Sequence, residues 1–351
     1  MTALCLIVPC RNEALVVGRK LANLALCAWP AAQRRHRVLV VDDGSDDETR
    51  SVARAAVERW RESFERSNVD VEVLENEIRP GKTGAIEQGL RACGETADLF
   101  VLSDADVVLS PDALTELVRP FERDARVGMV CGGQRMVAAL AADGTLTAPD
   151  GRALGGRTTF YDALTALVRR AESALGIVFS VHGQLMAWRA PLGLHPTRGF
   201  AADDLDLMLQ ARCKGARIAF APRALFFEAR PSDAADREAQ AARRARAYLQ
   251  FLAHPRRGEL ADAGAALARL QAALYLNLPA TCAAVLVACF AAYLATWLWP
   301  LPAALAWSVR IASLAVSLPL ALAVRRTFGS AGRAARASDR PIRDRWETAR
   351  K

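Results

Sequence analysis

Asp104 and Asp106 stand one residue apart at the end of an apolar run, Leu99-Phe100-Val101-Leu102. Two carboxylates that close repel, and neither belongs in a core. A second acidic pair, Asp42-Asp43, closes another such run, Val38-Leu39-Val40-Val41. Four carboxylates meeting at one place are costly unless a cation or a hydrogen-bond donor sits among them. The alternative role, helix capping, suits Asp46 and Asp47. It does not suit Asp104 and Asp106, because strand-like Val107-Val108-Leu109 follows and the next helix is expected near Pro111 with Ser110 as its cap. A hard divalent cation with oxygen ligands and a bound phosphate answers the Asp104/Asp106 pair best.

The elements that must hold these residues alternate. Leu4 to Val8 reads as a strand closed by Pro9, and a helix is expected from Glu13 to about Ala28. The run at 38–41 is the next strand, and a helix over Asp47 to Ser67, capped by Ser45 or Asp46, follows it. Val69 to Leu74 alternates as a third strand. Thr83 to Cys93 is a helix, Leu99 to Leu102 a fourth strand, and Pro111 to Phe121 another helix. Strands alternating with helices predict an α/β fold with a mostly parallel sheet covered on both faces. Such sheets bind ligands beyond the carboxyl ends of their strands, so both acidic pairs are expected along one edge.

Asn76 to Thr83, NEIRPGKT, nearly matches the phosphate-binding pattern G-x-x-x-x-G-K-[ST]. Its first glycine is replaced by Asn76, and Pro80 removes a backbone donor. What survives is Gly81 opening a helix from whose N-terminus Lys82 can reach a diphosphate. A solvated lysine is the other reading.

Of the 351 residues, 52% are hydrophobic and 24% charged, but the apolar ones are unevenly spread. No Asp, Glu, Lys or Arg occurs from Leu270 to Trp299, a length that crosses a bilayer as a helix, for which about 20 residues suffice. A second apolar run after Pro300-Leu301-Pro302 extends to Val324 and carries one charge, Arg310, which must snorkel if the segment spans. Most of the +8 net charge is in the tail: Arg325 to Lys351 holds nine Lys and Arg against three acids, or +6. A basic tail after an apolar helix marks the cytoplasmic side and attracts anionic headgroups. With the charge so localised, nucleic-acid binding is not expected. The eight cysteines are scattered without a C-x-x-C pair, which suits a reduced compartment. Ala3 to Val8 is too short for a signal-peptide core. The four histidines are not paired at metal-ligand spacing.

Five segments in order, IVPCRNEA (7–14), VVDDGSDDET (40–49), PGKTGAIEQGL (80–90), SDADVVLSPDAL (103–114) and FAADDLDLMLQARCKGARIAFAPRA (200–224), resemble the family 2 glycosyltransferases of the GT-A fold. The resemblance covers roughly residues 1–230. It implies that Pro9, Asn12 and Glu13 begin a nucleotide pocket, that Asp43, with Asp42, holds the base, and that Lys82 lies near the diphosphate. Asp104 and Asp106 would form the D-x-D element that binds the donor through Mg²⁺ or Mn²⁺. Asp204 matches the general base, which takes a proton from the acceptor hydroxyl. Asp203 replaces the commoner Glu before it. His182-Gly183-Gln184 would line the acceptor site, although His182 is as readily structural, and Asp206 would cap or decorate the helix after the base. Sugar choice would be shaped by a loop from Gly133 to Gly156.

One departure is plain. Where membrane synthases of this group carry a Q-x-x-R-W type motif, this chain reads QAARRARA at 240–247, without Trp. Arg243 or Arg246 can pair with phosphate, or the stretch is a basic amphipathic helix on headgroups. The expected organisation is a GT-A catalytic domain at 1–230, an interfacial linker at 231–269, a transmembrane helical hairpin at 270–324 and a basic cytoplasmic tail at 325–351. The expected activity is inverting transfer of a sugar from a nucleotide-sugar, UDP-linked by preference, to a lipid or lipid-linked acceptor at the cytoplasmic face of the inner membrane. A polysaccharide synthase subunit with a separate export channel, and a silent membrane-tethered nucleotide-sugar binder, are the alternatives.

Overall fold

A computed structural model describes residues 2–147, 160–229 and 266–318, together with 247, 250, 251, 259 and 321. The chain divides into two compact units, Met1–Arg230 with Asp262–Gly264, and Pro231–Ala261 with Ala265–Lys351.

The first unit is built on one eight-stranded sheet. Strands β1 (Leu4–Cys10), β2 (His36–Asp42), β3 (Val69–Glu75) and β4 (Leu99–Ser103) form its parallel half in the order β3-β2-β1-β4. The other half is mixed. β7 (Leu185–Arg189) lies antiparallel between β4 and β6 (Val127–Val137), β8 (Arg217–Ala229) runs parallel to β6, and β5 (Val108–Leu109) pairs antiparallel with β8. The sheet is therefore less parallel than the alternation of the first 130 residues predicts. The difference comes from the second half of the chain, where β7 enters beside β4 in reverse.

Burial on both faces follows from β1. Leu4, Leu6 and Val8 join one core with Val17, Leu21 and Leu24 of α1 (Val17–Leu26), Ala53 and Ala56 of α2 (Thr49–Arg59), and Leu114 and Leu117 of α5 (Ala113–Arg123). Ile7, pointing the other way, meets α4 (Lys82–Cys93), where a Cβ on Gly89 would come within 2.7 Å of the Ile7 side chain. β1, β2 and β4 are buried on two sides, which explains their continuous apolar runs, while the edge strand β3 is only partly buried.

Several boundaries differ from expectation. The helix over 47–67 is two, α2 and α3 (Arg61–Arg66), joined at Trp60. Neither Ser45 nor Asp46 caps α2. Asp47 accepts from the Thr49 amide at 2.9 Å instead, while Ser45 is drawn back to Asp42. Ser110 does not cap α5 through its side chain; its carbonyl accepts from Ala113 at 2.9 Å. The glycine-rich segment from Gly133 is no loop at its start, since β6 continues to Val137 past a register shift at Gly132/Gly133.

In the second unit the charge-free run is not one helix. It is divided at Asn277 into Ala266–Leu276 and Leu278–Leu298, the latter with Pro279 in its first turn, where proline is well tolerated. Ala280–Leu298 is long and apolar enough to cross a membrane, whereas the apolar helix Ala303–Leu318 falls short of the about 20 residues required. The described residues thus hold one helix of spanning length, not two. Arg310 has partners within the chain. It donates to Thr296 Oγ1 at 2.8 Å and to the Thr296 carbonyl at 3.1 Å, under the Trp297 ring at 3.8 Å, so it serves as a C-terminal cap for the preceding helix. The linker, apart from isolated positions, and the basic tail lie outside the described residues.

The turn into α4 is the tightest point of the first unit, because a Cβ on Gly84 would stand 1.9 Å from the Arg79 carbonyl oxygen. Gly84→Ala is expected to lower stability by about 2 kcal/mol, within the range for overpacking. A thermal or denaturant melt unchanged by this substitution contradicts that packing.

Candidate active site

The carboxyl ends of β1, β2 and β4 lie side by side, with Cys10 opposite Asp42 in the parallel register. The loops that follow are tied to each other by short polar side chains. Asn12, in the left-handed region at φ 56°, donates its amide to Ser45 Oγ at 2.9 Å and accepts the Asp46 amide on Oδ1 at 3.1 Å. Asparagine tolerates that backbone better than most residues, which gives Asn12 a conformational reason to be there. Glu13 donates its amide to Thr49 Oγ1 at 2.7 Å. Pro9 sits within β1 opposite Val41.

Asp42 and Asp43 divide their work. Asp42 is buried, accepts from the Ser45 amide at 3.3 Å and receives the Arg50 guanidinium through Nε at 3.1 Å and a terminal nitrogen at 2.7 Å. Its negative charge is spent inside the protein. Asp43 accepts the Gly81 amide on both oxygens at 2.9 and 2.8 Å and Asn76 Nδ2 at 2.6 Å, with Arg11 at 3.9 Å. The P-loop-like stretch is thus folded around Asp43. Asn76, standing where the first glycine of that pattern would be, is the hinge between them, and Gly81 supplies the φ of 104° that a side chain resists.

That turn aims Lys82, the first residue of α4. Its Nζ lies 2.9 Å from Asp104 and 3.4 Å from Asp203, linking the end of β4 to the start of α7 (Asp203–Cys213). Burial works against the lysine charge, but Asp104, Asp203 and Asp204 outweigh it and hold Lys82 above the ordinary lysine range. A cleft of about 320 Å³ opens beside it, lined by Arg79, Gly81, Arg198, Phe200 and Asp203.

Asp204 follows in the first turn of α7. It accepts the Gly183 amide at 3.3 Å and the Leu205 amide at 2.8 Å. A Cβ on Gly183 would come within 3.2 Å of the Asp204 Cβ, so glycine lets the segment at 182–184 lie against the carboxylate. Gln184 is fixed in turn, its carbonyl accepting Ser103 Oγ at 3.0 Å, and His182 meets the Phe226 ring edge-on at 5.6 Å. Burial, then the adjacent Asp203, push Asp204 up to about 6 against the pull of Lys82, and burial raises Asp203 as well. Asp206 is also buried, but it anchors the preceding loop, accepting the Thr197 amide at 2.6 Å and Thr197 Oγ1 at 2.9 Å.

Glu13, Asp104 and Asp106 crowd one another. Burial and then Asp106 and Asp104 push Glu13 up to about 7, and burial with Asp104 raises Asp106. Among the described residues no group of three or more His, Cys, Asp and Glu is arranged to hold a metal by itself. A pair of carboxylates with excess negative charge and open coordination suits a hard cation that takes its other ligands from substrate phosphate and water. The excess negative charge of these crowded carboxylates is the imbalance such an ion corrects, so the residues present fit Mg²⁺ or Mn²⁺.

Two residues central to this loop escape a reading by motif. Lys20 of α1 is fully buried, donating to Ser103 Oγ at 2.7 Å and to the Val107 carbonyl at 3.2 Å, the residues on either side of Asp104–Asp106. Burial pulls it down to about 8. Asn23, one turn on, donates to the Leu109 carbonyl at 3.0 Å and accepts the Leu109 amide at 2.7 Å. The sequence signal was a charge set inside the apolar stripe Val17, Leu21, Leu24. Arg243 and Arg246 lie outside the described residues.

Residues 2–247 match the family described as "Glycosyltransferase like family 2". The mannosyltransferase PcManGT from Pyrobaculum calidifontis, solved in complex with GDP-Man and Mn²⁺, superposes with a TM-score of 0.61 at 26% identity, covering 97% of this chain and 88% of that one. Poly-β-1,6-N-acetyl-D-glucosamine synthase of Staphylococcus aureus (strain COL) is 22% identical over 223 residues, 62% of this chain and 48% of the relative. The Staphylococcus epidermidis synthase is 21% identical over 178 residues, 50% of this chain and 37% of the relative. The chain spans about half, or less, of the length of these curated relatives.

Lys20→Met keeps the volume but leaves Ser103 Oγ and the Val107 carbonyl without their donor. It is expected to cost about 2 kcal/mol, the scale of a buried group left unsatisfied. Chemical denaturation reads the effect; a midpoint at the wild-type value refutes the role given to Lys20.

Proposed function

The chain belongs to glycosyltransferase family 2, and from that premise we propose that it transfers a sugar from a nucleoside-diphosphate donor to a membrane-held hydroxyl acceptor with inversion at the anomeric carbon. The observation that carries this reading is the union of Asp104, Lys82, Asp203 and Asp204 at one strand edge. A cation for the departing diphosphate and a base for the incoming hydroxyl are set in one site.

In this mechanism Asp204 accepts the proton of the acceptor hydroxyl as its oxygen forms the new bond to the anomeric carbon. The bond from that carbon to the diphosphate oxygen breaks on the opposite face, so one displacement inverts the centre. Lys82 supplies positive charge to the leaving diphosphate from the N-terminus of α4. Asp104 and Asp106 would hold Mg²⁺ or Mn²⁺, whose chemistry when bound is to neutralise the charge that develops on the diphosphate. Asp43 and the loop it organises, with Asn12 and Glu13, frame the nucleotide end of the pocket, Asp42 acting through its pairing with Arg50. Gly183 and Gln184, pinned between Asp204 and Ser103, border the acceptor, with His182 beside them. Asp203 keeps Lys82 placed and raises the basicity of Asp204.

The donor is taken to be UDP-linked, and the GDP-Man bound by PcManGT makes a GDP-linked sugar the first alternative in any panel. The apolar helix Leu278–Leu298 supports a membrane-held acceptor. A basic tail on the cytoplasmic side of the inner membrane would rest on anionic headgroups, and the catalytic unit shares that side only if the shorter apolar segment from Ala303 returns the chain across the bilayer. The similarity to poly-β-1,6-N-acetyl-D-glucosamine synthases supports a second reading, in which the product is a polysaccharide that a separate channel would export.

The deciding experiment offers labelled nucleotide sugars and a host lipid extract to the purified full chain. Label is expected in the organic phase, and Asp204→Asn should reduce transfer at least about 100-fold. Label in a water-soluble polymer selects the second reading, and transfer unchanged in Asp204→Asn refutes the assigned base.

A base raised to about 6 also sets the pH profile. Only the carboxylate can accept the proton, so kcat/KM should be flat above that value and fall about tenfold per pH unit below it. A rate still constant at pH 4.5 rules out Asp204 as the titrating base.

A further inference from the structure

Helix α6 (Phe160–Leu175) of the catalytic unit is amphipathic the wrong way round. Its inner face is polar. Glu172 is buried and accepts the Phe179 amide at 3.3 Å, Ser173 Oγ accepts the Phe220 amide at 2.8 Å, and Arg169 donates to Ser180 Oγ at 3.3 Å while lying 6.0 Å over the Phe220 ring. Its outer face is apolar. Leu164 is 47% exposed, Leu167 63%, Val168 42% and Leu175 54%. At 3.6 residues per turn these four fall within an arc of about 100°, a continuous stripe. Scattered single leucines on a surface need no explanation, but a helix that turns its polar side inward and its leucines outward does.

Beside this stripe lies a cavity of about 110 Å³ between α6, β6 and β8. Arg135 of β6 and Arg169 and Arg170 of α6 line it, together with Gln134, Thr165 and Phe220. No carboxylate lines it, and none of the three guanidinium groups forms an ion pair among the described residues. The acid nearest in the strands, Glu228, is buried and accepts Gln134 Nε2 at 2.5 Å. Three arginines around one cavity, without a counter-charge among the described residues, describe a site for an anion with several acceptor oxygens, which guanidinium groups grip in pairs.

We propose that α6 lies in the membrane interface, its leucine stripe among the acyl chains, and that Arg135, Arg169 and Arg170 take the phosphate of an anionic lipid headgroup. A lipid is the occupant that meets both features at once, because it presents a phosphate and an apolar chain on one molecule. A soluble phosphate leaves the leucines in water, and a second copy of the chain leaves the arginines without an anion. This site is separate from the lysine and carboxylates around Asp204. It rests on the membrane reading above, but not on the transferase chemistry.

The test uses the full chain in phosphatidylcholine vesicles containing about a quarter phosphatidylglycerol, with Leu167 replaced by photoreactive benzoylphenylalanine. The adducts are identified by mass, without any transfer reaction, so the outcome is independent of whether donor or acceptor has been found. Crosslinks to lipid are expected, with phosphatidylglycerol enriched roughly fivefold over its share, the scale of one arginine near an anionic surface. Enrichment should vanish in Arg169→Gln/Arg170→Gln while lipid crosslinks remain. Arg170→Gln alone, altering an exposed side chain, should reduce it and serves as the variant if the pair misfolds. Lipid crosslinks without enrichment in the parent overturn the phosphate assignment. Crosslinks to a second copy, or to no lipid at all, overturn the interfacial placement. Glycerol phosphate bound equally by the parent and by Leu164→Ser/Leu167→Ser, with no lipid adduct, assigns the cavity to a free phosphate and overturns the lipid.

Discussion

The site depends on two lysines set among carboxylates that would otherwise force their own strand ends apart. Lys20 enters from beneath, fully buried, and holds both flanks of the Asp104–Asp106 turn through Ser103 and Val107. Lys82 crosses from above and joins Asp104 to Asp203. A buried lysine is expensive, so its hydrogen bonds and neighbouring negative charge must offset the loss of water. Here both are present. The remaining negative charge, borne by Glu13, Asp104 and Asp106, is left facing the open edge, where a divalent ion and a diphosphate would meet it.

This arrangement explains why the loops around the site are so heavily hydrogen-bonded. Asp43 fixes the turn that aims Lys82, Asp42 is neutralised by Arg50, and Asn12 and Ser45 join the first two loops. Two of these ties, Asp43 to Gly81 and Asn12 to Ser45, join different strand-loop segments, while Arg50 closes on Asp42 across a single loop. The pocket is therefore shaped by bonds between loops as well as within them, which is how a parallel sheet edge becomes a rigid site.

Much of this was legible in the sequence because it follows local rules. The strand ends at 42 and 103, the helix opening at Gly81-Lys82 and the extended pair at Val108-Leu109 all announce themselves in runs of a few residues. Lys20 was not read because its meaning depends on what faces α1 across a long stretch of chain, although a charge in the stripe Val17, Leu21, Leu24 was the available clue. The antiparallel entry of β7 is likewise a matter of which strand pairs with which, and no short pattern states that. The inverted polarity of α6 is the clearest case. A helix with leucines at this spacing ordinarily buries them, and only the packed structure shows that the polar face is the one turned inward. The division of the long apolar run at Asn277 comes down to local chemistry, a proline in the first turn of a new helix.

The central claim is that the carboxylates at this edge bind a divalent cation and a nucleoside diphosphate as a unit. Calorimetric titration of UDP and GDP into the full chain, with and without Mn²⁺, tests it most directly. The account predicts that the diphosphate nucleotide binds at least about tenfold more tightly with the ion present, and that the ion's affinity rises by the same factor with the nucleotide, as linkage requires. Equal nucleotide affinity in the presence of a chelator would contradict it, and would leave Lys20 and Lys82 as structural counter-ions alone.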